Sequence, residues 1–187
     1  MFSRARCPAP TIAFYDRQTQ KPNTDCDAYR TATIAAINQL RPSVVVVTSA
    51  SLSQTVSKDA IATADMWLAG MTTTLKGLAA PGTRVVLLGD MPVLEQTNPE
   101  CLAAHTANIQ QCGSTRVEAL TGVYTEAERD AANSAGAEYI DVTNGFCADR
   151  CSPVVAGRQV YRNRFHITAA FATYVAGAVA QTLHRDH

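Results

Sequence analysis

Two short runs of aliphatic residues decide the fold class of this chain. Residues 43–48 are SVVVVT, and residues 84–89 are RVVLLG. Continuous β-branched runs of this length are typical of strands that are buried on both faces of a parallel sheet. The sequence around them predicts helices at 27–40, 59–79 and 125–134. It also predicts one further strand, EYIDV, at 138–142.

The alternation of strands with helices predicts the architecture of the whole chain. Strands separated by helices of this length indicate a three-layer α/β/α sandwich with a parallel sheet. Val160 and Tyr161 add a short extended piece, and a last amphipathic helix is predicted for Ile167–His184. At about 150 residues per domain, we expect residues 1–187 to form one domain. Functional groups in such sheets lie at the C-terminal ends of the strands.

Charge and hydropathy exclude several classes of protein. The chain has 16 Lys and Arg against 16 Asp and Glu, so its formal net charge is zero. A nucleic-acid binder or a polybasic membrane-surface protein needs net positive charge or a basic stripe. The longest aliphatic run, Val44–Val47, is far shorter than the roughly 18 apolar residues that a membrane span requires. Residues 1–7 contain no apolar run typical of a signal peptide.

Six cysteines are the most informative part of the composition. They fall into three local pairs, each bracketing a short loop rich in Pro, Asn, Asp or Gly: Cys7 with Cys26, Cys101 with Cys112, and Cys147 with Cys151. An even count favours disulfides and an oxidising compartment, and the short bracketed loops favour pairing between neighbours. Free buried thiols remain an alternative. Zinc binding is a weaker one, because no pair has the close CxxC spacing of common structural zinc sites.

Two loops that follow predicted strands contain polar candidates. Ser49 and Ser51 follow the first buried strand, where oxyanion donors and substrate contacts collect, although serine-rich loops are often solvated turns. Gly89 and Asp90 follow the second strand, but Met91 comes next, so this turn offers no hydroxyl nucleophile. Asp90 can still orient a nearby group. No GxGxxG or GxxxxGK[ST] motif supports nucleotide binding, and we expect no cofactor or metal.

The strongest catalytic candidate is His166, which stands in VYRNRFHIT directly before the last predicted helix. A histidine at a loop-to-helix junction can be exposed enough to titrate and can act as a general base. Asn163 stands three residues before it. The other histidines, His105, His184 and His187, lie in a loop or near the C-terminus and are predicted to be surface residues.

This segment resembles the Asp-x-x-His block of SGNH (GDSL-like) serine hydrolases. The resemblance is to the subtype found as the C-terminal extracytoplasmic domain of acyltransferase-3-type membrane O-acyltransferases. Within that subtype's Tyr-Arg-Asp-x-x-His-Leu-Thr block, the matching residues are Tyr161, Arg162, His166 and Thr168, with Ile167 close to Leu. Further similar segments cover nearly the whole chain: Cys7-Pro8, 41–47, 85–92 with Cys101, and 147–155.

The resemblance implies a flavodoxin-like sheet and a serine acyltransferase or esterase. Such a domain would act on acyl groups, typically acetyl, of cell-envelope glycans. His166 would be the base and residue 163 would orient it. The partners implied are an envelope glycan or acyl donor and a membrane acyltransferase domain, with no nucleic acid. The implied location is extracytoplasmic, reached through an upstream membrane region.

Two departures from the family pattern bear on activity. The family's Gly-Asp-Ser-His nucleophile block, on a first strand, precedes the segment that matches Cys7-Pro8, and this sequence does not contain it. Asn163 replaces the family's Asp. An Asn can hold an imidazole but can favour the wrong tautomer, and in a serine-protease triad this replacement lowers turnover roughly 10⁴-fold.

These departures lead to one expectation and two alternatives. We expect an N-terminally truncated SGNH domain that lacks its first strand and is inactive alone. The first alternative is a non-catalytic extracytoplasmic domain that binds a glycan or a partner protein. The second is hydrolysis by a different nucleophile, which would be Ser49, Ser51 or Ser53.

Overall fold

The computed structural model describes residues 1–52, 54–95, 98–120 and 122–184. In chain order, the first elements are β1 (Tyr15–Asp16), β2 (Lys21–Pro22), α1 (Thr24–Leu40), β3 (Val44–Val47), α2 (Ala64–Leu78) and β4 (Arg84–Leu88). They are followed by α3 (Asn98–Ala104), β5 (Ser114–Thr115), α4 (Arg116–Ala119), α5 (Gly122–Ala135) and β6 (Glu138–Ile140). The last are β7 (Arg150–Cys151), β8 (Val154–Val155), β9 (Arg158–Gln159), β10 (Tyr161–Asn163), β11 (His166–Ile167) and α6 (Ala169–His184). Short 3₁₀ helices span Ile109–Cys112 and Thr143–Gly145.

Contacts divide the chain into two compact units, which are described separately. The first, the sheet unit, comprises Met1–Asp90 and Gly122–Ile140. The second, the hairpin unit, comprises Met91–Thr121 and Asp141–His187. The expectation of a single domain over residues 1–187 stays a prediction.

A parallel sheet of three strands forms the centre of the sheet unit. Its order is β3–β4–β6, with Val45 opposite Val85 and Leu87 opposite Tyr139. All three predicted strands are present, and the connections between them contain helices α2 and α5, as the crossover between parallel strands requires. The predicted α/β class is therefore confirmed.

Helices α2 and α5 pack against each other and bury the core of this unit. Trp67 and Met71 of α2 are fully buried, and the ring of Trp67 meets that of Tyr124 on α5 edge to face, with centroids 5.7 Å apart. Alanines at 127, 131 and 132 complete the buried face of α5. Small residues there let the two helices approach closely while the aromatic rings fill the remaining space.

Strand β3 is not buried on both faces, contrary to the expectation from its four valines. Val45 and Val47 are each 8% exposed, whereas Val46 is 44% exposed. Side chains alternate across a strand, so one face of β3 packs into the core and the other is open among the described residues. Strand β4 does fit the expectation, because three consecutive residues, Val85–Leu87, are buried.

The second predicted helix begins five residues later than expected, at Ala64 instead of residue 59. Thr63 caps it, since its hydroxyl accepts a hydrogen bond from the Met66 amide at 3.2 Å. Before the cap, Ile61 forms a β-bridge with Thr55. Ile61 and Met66 are 51% and 38% exposed, so neither belongs to the buried core.

Two segments of the hairpin unit also differ from expectation. The bracketed segment between Cys101 and Cys112 is largely helical instead of a plain loop, because it contains most of α3 and a 3₁₀ helix. The last helix begins at Ala169, since His166 and Ile167 pair with β10 as a strand. In the described part of the chain, no helix combines the length and apolarity that crossing a membrane requires.

Candidate functional site

His166 and Asn163 are joined by a hydrogen bond on a two-stranded antiparallel hairpin. Strands β10 and β11 place residue 163 opposite residue 166, with a register shift between Tyr161 and Asn163. Nδ1 of the imidazole lies 2.9 Å from Oδ1 of Asn163. The same oxygen accepts the backbone N–H of Phe165 at 3.0 Å. His166 is exposed and Asn163 half-buried.

Contacts within the hairpin unit fix the position of this hairpin. The fully buried Tyr161 donates its hydroxyl to the carbonyl of Pro92 at 2.7 Å. Thr168 donates its hydroxyl to the Gln159 carbonyl at 2.6 Å and accepts the amide of Phe171, so it joins the hairpin to the first turn of α6. Burial raises the pKa of Tyr161, which therefore remains a neutral hydrogen-bond donor.

Ser51 and Asp90 are brought together in the sheet unit, at the C-terminal ends of β3 and β4. The backbone N–H and the hydroxyl of Ser51 both donate to Oδ2 of Asp90, at 2.8 and 3.0 Å. Ser51 is 1% exposed. In this conformation its donors bind the carboxylate of Asp90, and an oxyanion or substrate contact for Ser51 stays a prediction.

Ser49 is also buried, and it holds the N-terminal segment against the end of β3. Its hydroxyl oxygen accepts the backbone N–H of Ala9 at 3.1 Å, and the residue is 8% exposed. A substrate contact for Ser49 likewise stays a prediction. Ser53, the third serine considered as a nucleophile, and His187 lie outside the described residues. His105 is exposed, as expected.

Glu128 is a buried carboxyl group that sequence reasoning missed. It lies on α5, is 1% exposed, and accepts hydrogen bonds from Nε1 of Trp67 at 3.2 Å and from the backbone N–H of Asp90 at 3.4 Å. Burial, and then the charge of Asp90, raise the pKa of Glu128 to about 7, although these two hydrogen bonds oppose the shift. Glu128 thus holds the Gly89–Asp90 turn through a hydrogen bond to its backbone.

A signal for Glu128 was present in the sequence. On α5 it lies four residues after Tyr124 and three before Ala131, so it shares a face with these two buried residues. An acidic residue on an otherwise apolar face needs a buried polar partner. The turn that Glu128 contacts also requires a glycine at position 89, because a Cβ there would collide with the hydroxyl of Tyr139.

All six cysteines are paired in the structure as predicted, each with its neighbour along the chain. The bonded pairs are Cys7–Cys26, Cys101–Cys112 and Cys147–Cys151. No cysteine is free, so the alternatives of buried thiols and a zinc site do not describe these residues. The first pair lies in the sheet unit and the other two in the hairpin unit.

Comparison with known proteins identifies the family. The chain matches a solved structure described as a Salmonella ser. Paratyphi A lipopolysaccharide acetyltransferase periplasmic domain, with 15% identity and a TM-score of 0.65. The match covers 93% of this chain and 69% of that one, and it shows a shared fold. No curated protein matches the chain. The model of the family described as "SGNH domain (fused to AT3 domains)" matches residues 1–181. The chain therefore belongs to the SGNH domain family that is fused to AT3 domains.

Proposed function

We propose that this chain contributes the general base of a serine acyltransferase or esterase that acts on acyl groups, typically acetyl, of cell-envelope glycans. His166 is the base and Asn163 orients it. The observation that carries the proposal is the 2.9 Å contact between Nδ1 of His166 and Oδ1 of Asn163, at the position of the family's Asp-x-x-His block. With Nδ1 held in this way, Nε2 is the atom that can accept a proton from a nucleophile.

The family and the structural neighbour support an extracytoplasmic setting for this chemistry. The family's domains are fused to AT3 domains, and the neighbour is the periplasmic domain of a lipopolysaccharide acetyltransferase. We therefore propose a membrane acyltransferase domain as partner and a surface glycan as acceptor. Three disulfides fit an oxidising compartment.

The 187-residue chain by itself is expected to have little or no turnover, because its sequence holds no Gly-Asp-Ser-His block. The test is hydrolysis of p-nitrophenyl acetate by the purified chain and by its His166→Ala variant. Both are expected to match the uncatalysed rate. Turnover that disappears in His166→Ala would contradict the expected inactivity. Labelling by a fluorophosphonate probe would instead point to Ser49, Ser51 or Ser53.

A gain-of-function experiment tests the proposed base directly. A first strand and helix bearing the Gly-Asp-Ser-His block of an active SGNH relative is fused ahead of Met1. The fusion should hydrolyse p-nitrophenyl acetate, and His166→Ala should lower that rate at least about 10²-fold, the usual contribution of a general base. His105→Ala, an exposed histidine elsewhere, is the matched control. A folded fusion whose activity is indifferent to His166→Ala would refute the role.

One observation favours a second candidate, a non-catalytic domain that binds an envelope glycan or a partner protein. Asn163 replaces the carboxylate that would stabilise the imidazolium during catalysis. Calorimetric titration with acetylated and deacetylated glycan separates the candidates. Binding by the 187-residue chain, combined with an inactive fusion, would support this second function.

A further inference from the structure

The amide group of Asn163 has two neighbours that together determine which of its ends faces His166. The backbone N–H of Phe165, two residues along the chain, points at this amide and lies 3.0 Å from Oδ1. A backbone N–H can only donate, so the atom that receives it has to be the oxygen. This local turn, in which an Asn side chain accepts an N–H two residues on, is a common conformation for Asn.

The imidazole of His166 approaches the same oxygen. Its Nδ1 lies 2.9 Å from Oδ1, and an amide oxygen has lone pairs for two donors. Because Oδ1 can only accept, Nδ1 has to carry a proton for this contact to be a hydrogen bond. In the neutral ring Nε2 is then unprotonated.

We infer that the backbone N–H of Phe165 fixes the amide orientation of Asn163, and that this amide holds neutral His166 in the tautomer with a proton on Nδ1 and a free lone pair on Nε2. Asn163 is thereby a positioning residue. Phe165 contributes through its main chain, whatever its side chain. The tautomer itself does not depend on the proposed function. Only its consequence, that Nε2 is free to act as the general base, rests on that function.

The opposite arrangement is the one that makes an Asn a poor substitute for Asp. There the Asn Nδ2 group donates to a bare Nδ1, and the proton moves to Nε2, which can no longer act as a base. In this hairpin a flipped Asn163 would put an N–H group against the N–H of Phe165. Two donors would then face each other, and the hydrogen bond at 3.0 Å would be lost. The expectation that Asn163 favours the wrong tautomer is thus opposed by the geometry around it.

The experiment is a long-range ¹H–¹⁵N correlation spectrum of the ¹⁵N-labelled 187-residue chain, recorded at alkaline pH. His166→Gln assigns the resonances. We expect Nδ1 to have the shift of a protonated nitrogen and Nε2 that of an unprotonated one. The ratio of the Nδ1–H form to the Nε2–H form should be roughly five- to tenfold higher than in Asn163→Ala, the factor that about one net hydrogen bond provides. A ring that is mainly protonated on Nε2 would overturn the inference.

Matched variants separate the two parts of the inference. Asn163→Ala removes the acceptor and should shift the ratio towards Nε2–H, whereas Asn163→Asp keeps an oxygen there and should retain Nδ1–H. Phe165→Pro removes the N–H donor, although it also fixes φ, and should shift the ratio as well, whereas Phe165→Ala keeps that donor and should not. If Phe165→Pro disturbs the hairpin, as its amide spectrum would reveal, the two Asn163 variants decide. An unchanged ratio in Asn163→Ala would contradict the inference.

These spectra need no turnover. An inactive fusion enzyme together with the Nδ1–H tautomer would refute the proposed function alone. An Nε2–H tautomer in an active fusion would refute this inference alone.

Discussion

The indole of Trp67 donates a hydrogen bond to Oε1 of Glu128 at 3.2 Å, and so joins α2 to α5 inside the core of the sheet unit. The other carboxyl oxygen accepts the backbone N–H of Asp90. Because Asp90 in turn binds both donors of Ser51, a continuous chain of hydrogen bonds runs from the helix layer to the loop after β3. Within this chain of hydrogen bonds, Glu128 is the carboxyl group that is almost fully buried.

We predict that Glu128 makes the chain less stable as the pH rises. Its pKa is raised from 4.5 to about 7 in the folded state, so between these values the unfolded chain releases the proton first. This contribution is favourable below about pH 4.5 and is lost by about pH 7; it amounts to roughly 3 kcal/mol at about 1.4 kcal/mol per pKa unit.

Urea unfolding of wild type and Glu128→Gln between pH 5 and pH 8 measures this effect. The difference in unfolding free energy between the two proteins should shift in favour of the variant as the pH rises. Glu126→Gln, an exposed site on the same helix, should track wild type. A difference between wild type and Glu128→Gln that is constant across this range would show that Glu128 ionises normally.

We predict that the fluorescence of Trp67 reports the same ionisation in the folded protein. Trp67 is the only tryptophan in the chain, and its indole N–H contacts the titrating carboxyl group. A titration of emission intensity without denaturant should show a transition with a midpoint near the raised pKa of about 7. The transition should be absent in Glu128→Gln and present in Glu126→Gln. A flat wild-type profile would contradict the prediction.

We predict that Tyr161→Phe destabilises the hairpin unit more than Tyr174→Phe. The hydroxyl of Tyr161 binds the carbonyl of Pro92 inside a buried contact, whereas Tyr174 is 47% exposed. Leaving a buried carbonyl without its donor costs about 1–3 kcal/mol. Urea or thermal unfolding of the two variants measures the difference, and equal stabilities would mean that the hydroxyl of Tyr161 contributes no net free energy.

We predict that the three disulfides contribute unequally to stability. In the chain-entropy view a longer closed loop gives the larger effect. Cys7 and Cys26 are 19 residues apart, and Cys147 and Cys151 are 4 apart. Replacing both cysteines of a pair with alanine should cost about 3 kcal/mol for the first pair and about 2 kcal/mol for the second. Urea unfolding ranks them, and a reversed order would contradict this account.

The sheet and most helices could be predicted because their signals are local. The aliphatic runs of β3 and β4 are properties of a few consecutive residues. Helix boundaries were harder to predict, since the start of α2 depends on the cap at Thr63 and on a bridge between Thr55 and Ile61. The exposure of Val46 could not be predicted either, because it depends on what covers the sheet.

The part of the candidate site that could be predicted from the sequence lies within one short segment. Asn163 and His166 are three residues apart, and their contact follows from a single hairpin. The contacts of Ser51, Asp90 and Glu128 join residues separated by 38 or 39 positions. No local pattern encodes such contacts, because they form only when two strands and a helix have packed.

The order of the disulfides has a consequence for biosynthesis. The first, third and fifth cysteines are each bonded to the next one along the chain. Among these six cysteines, a chain that emerges N-terminus first exposes the correct partners of Cys7, Cys101 and Cys147 before the next pair appears. Of the many pairings that six cysteines permit, this one can be reached by stepwise oxidation alone.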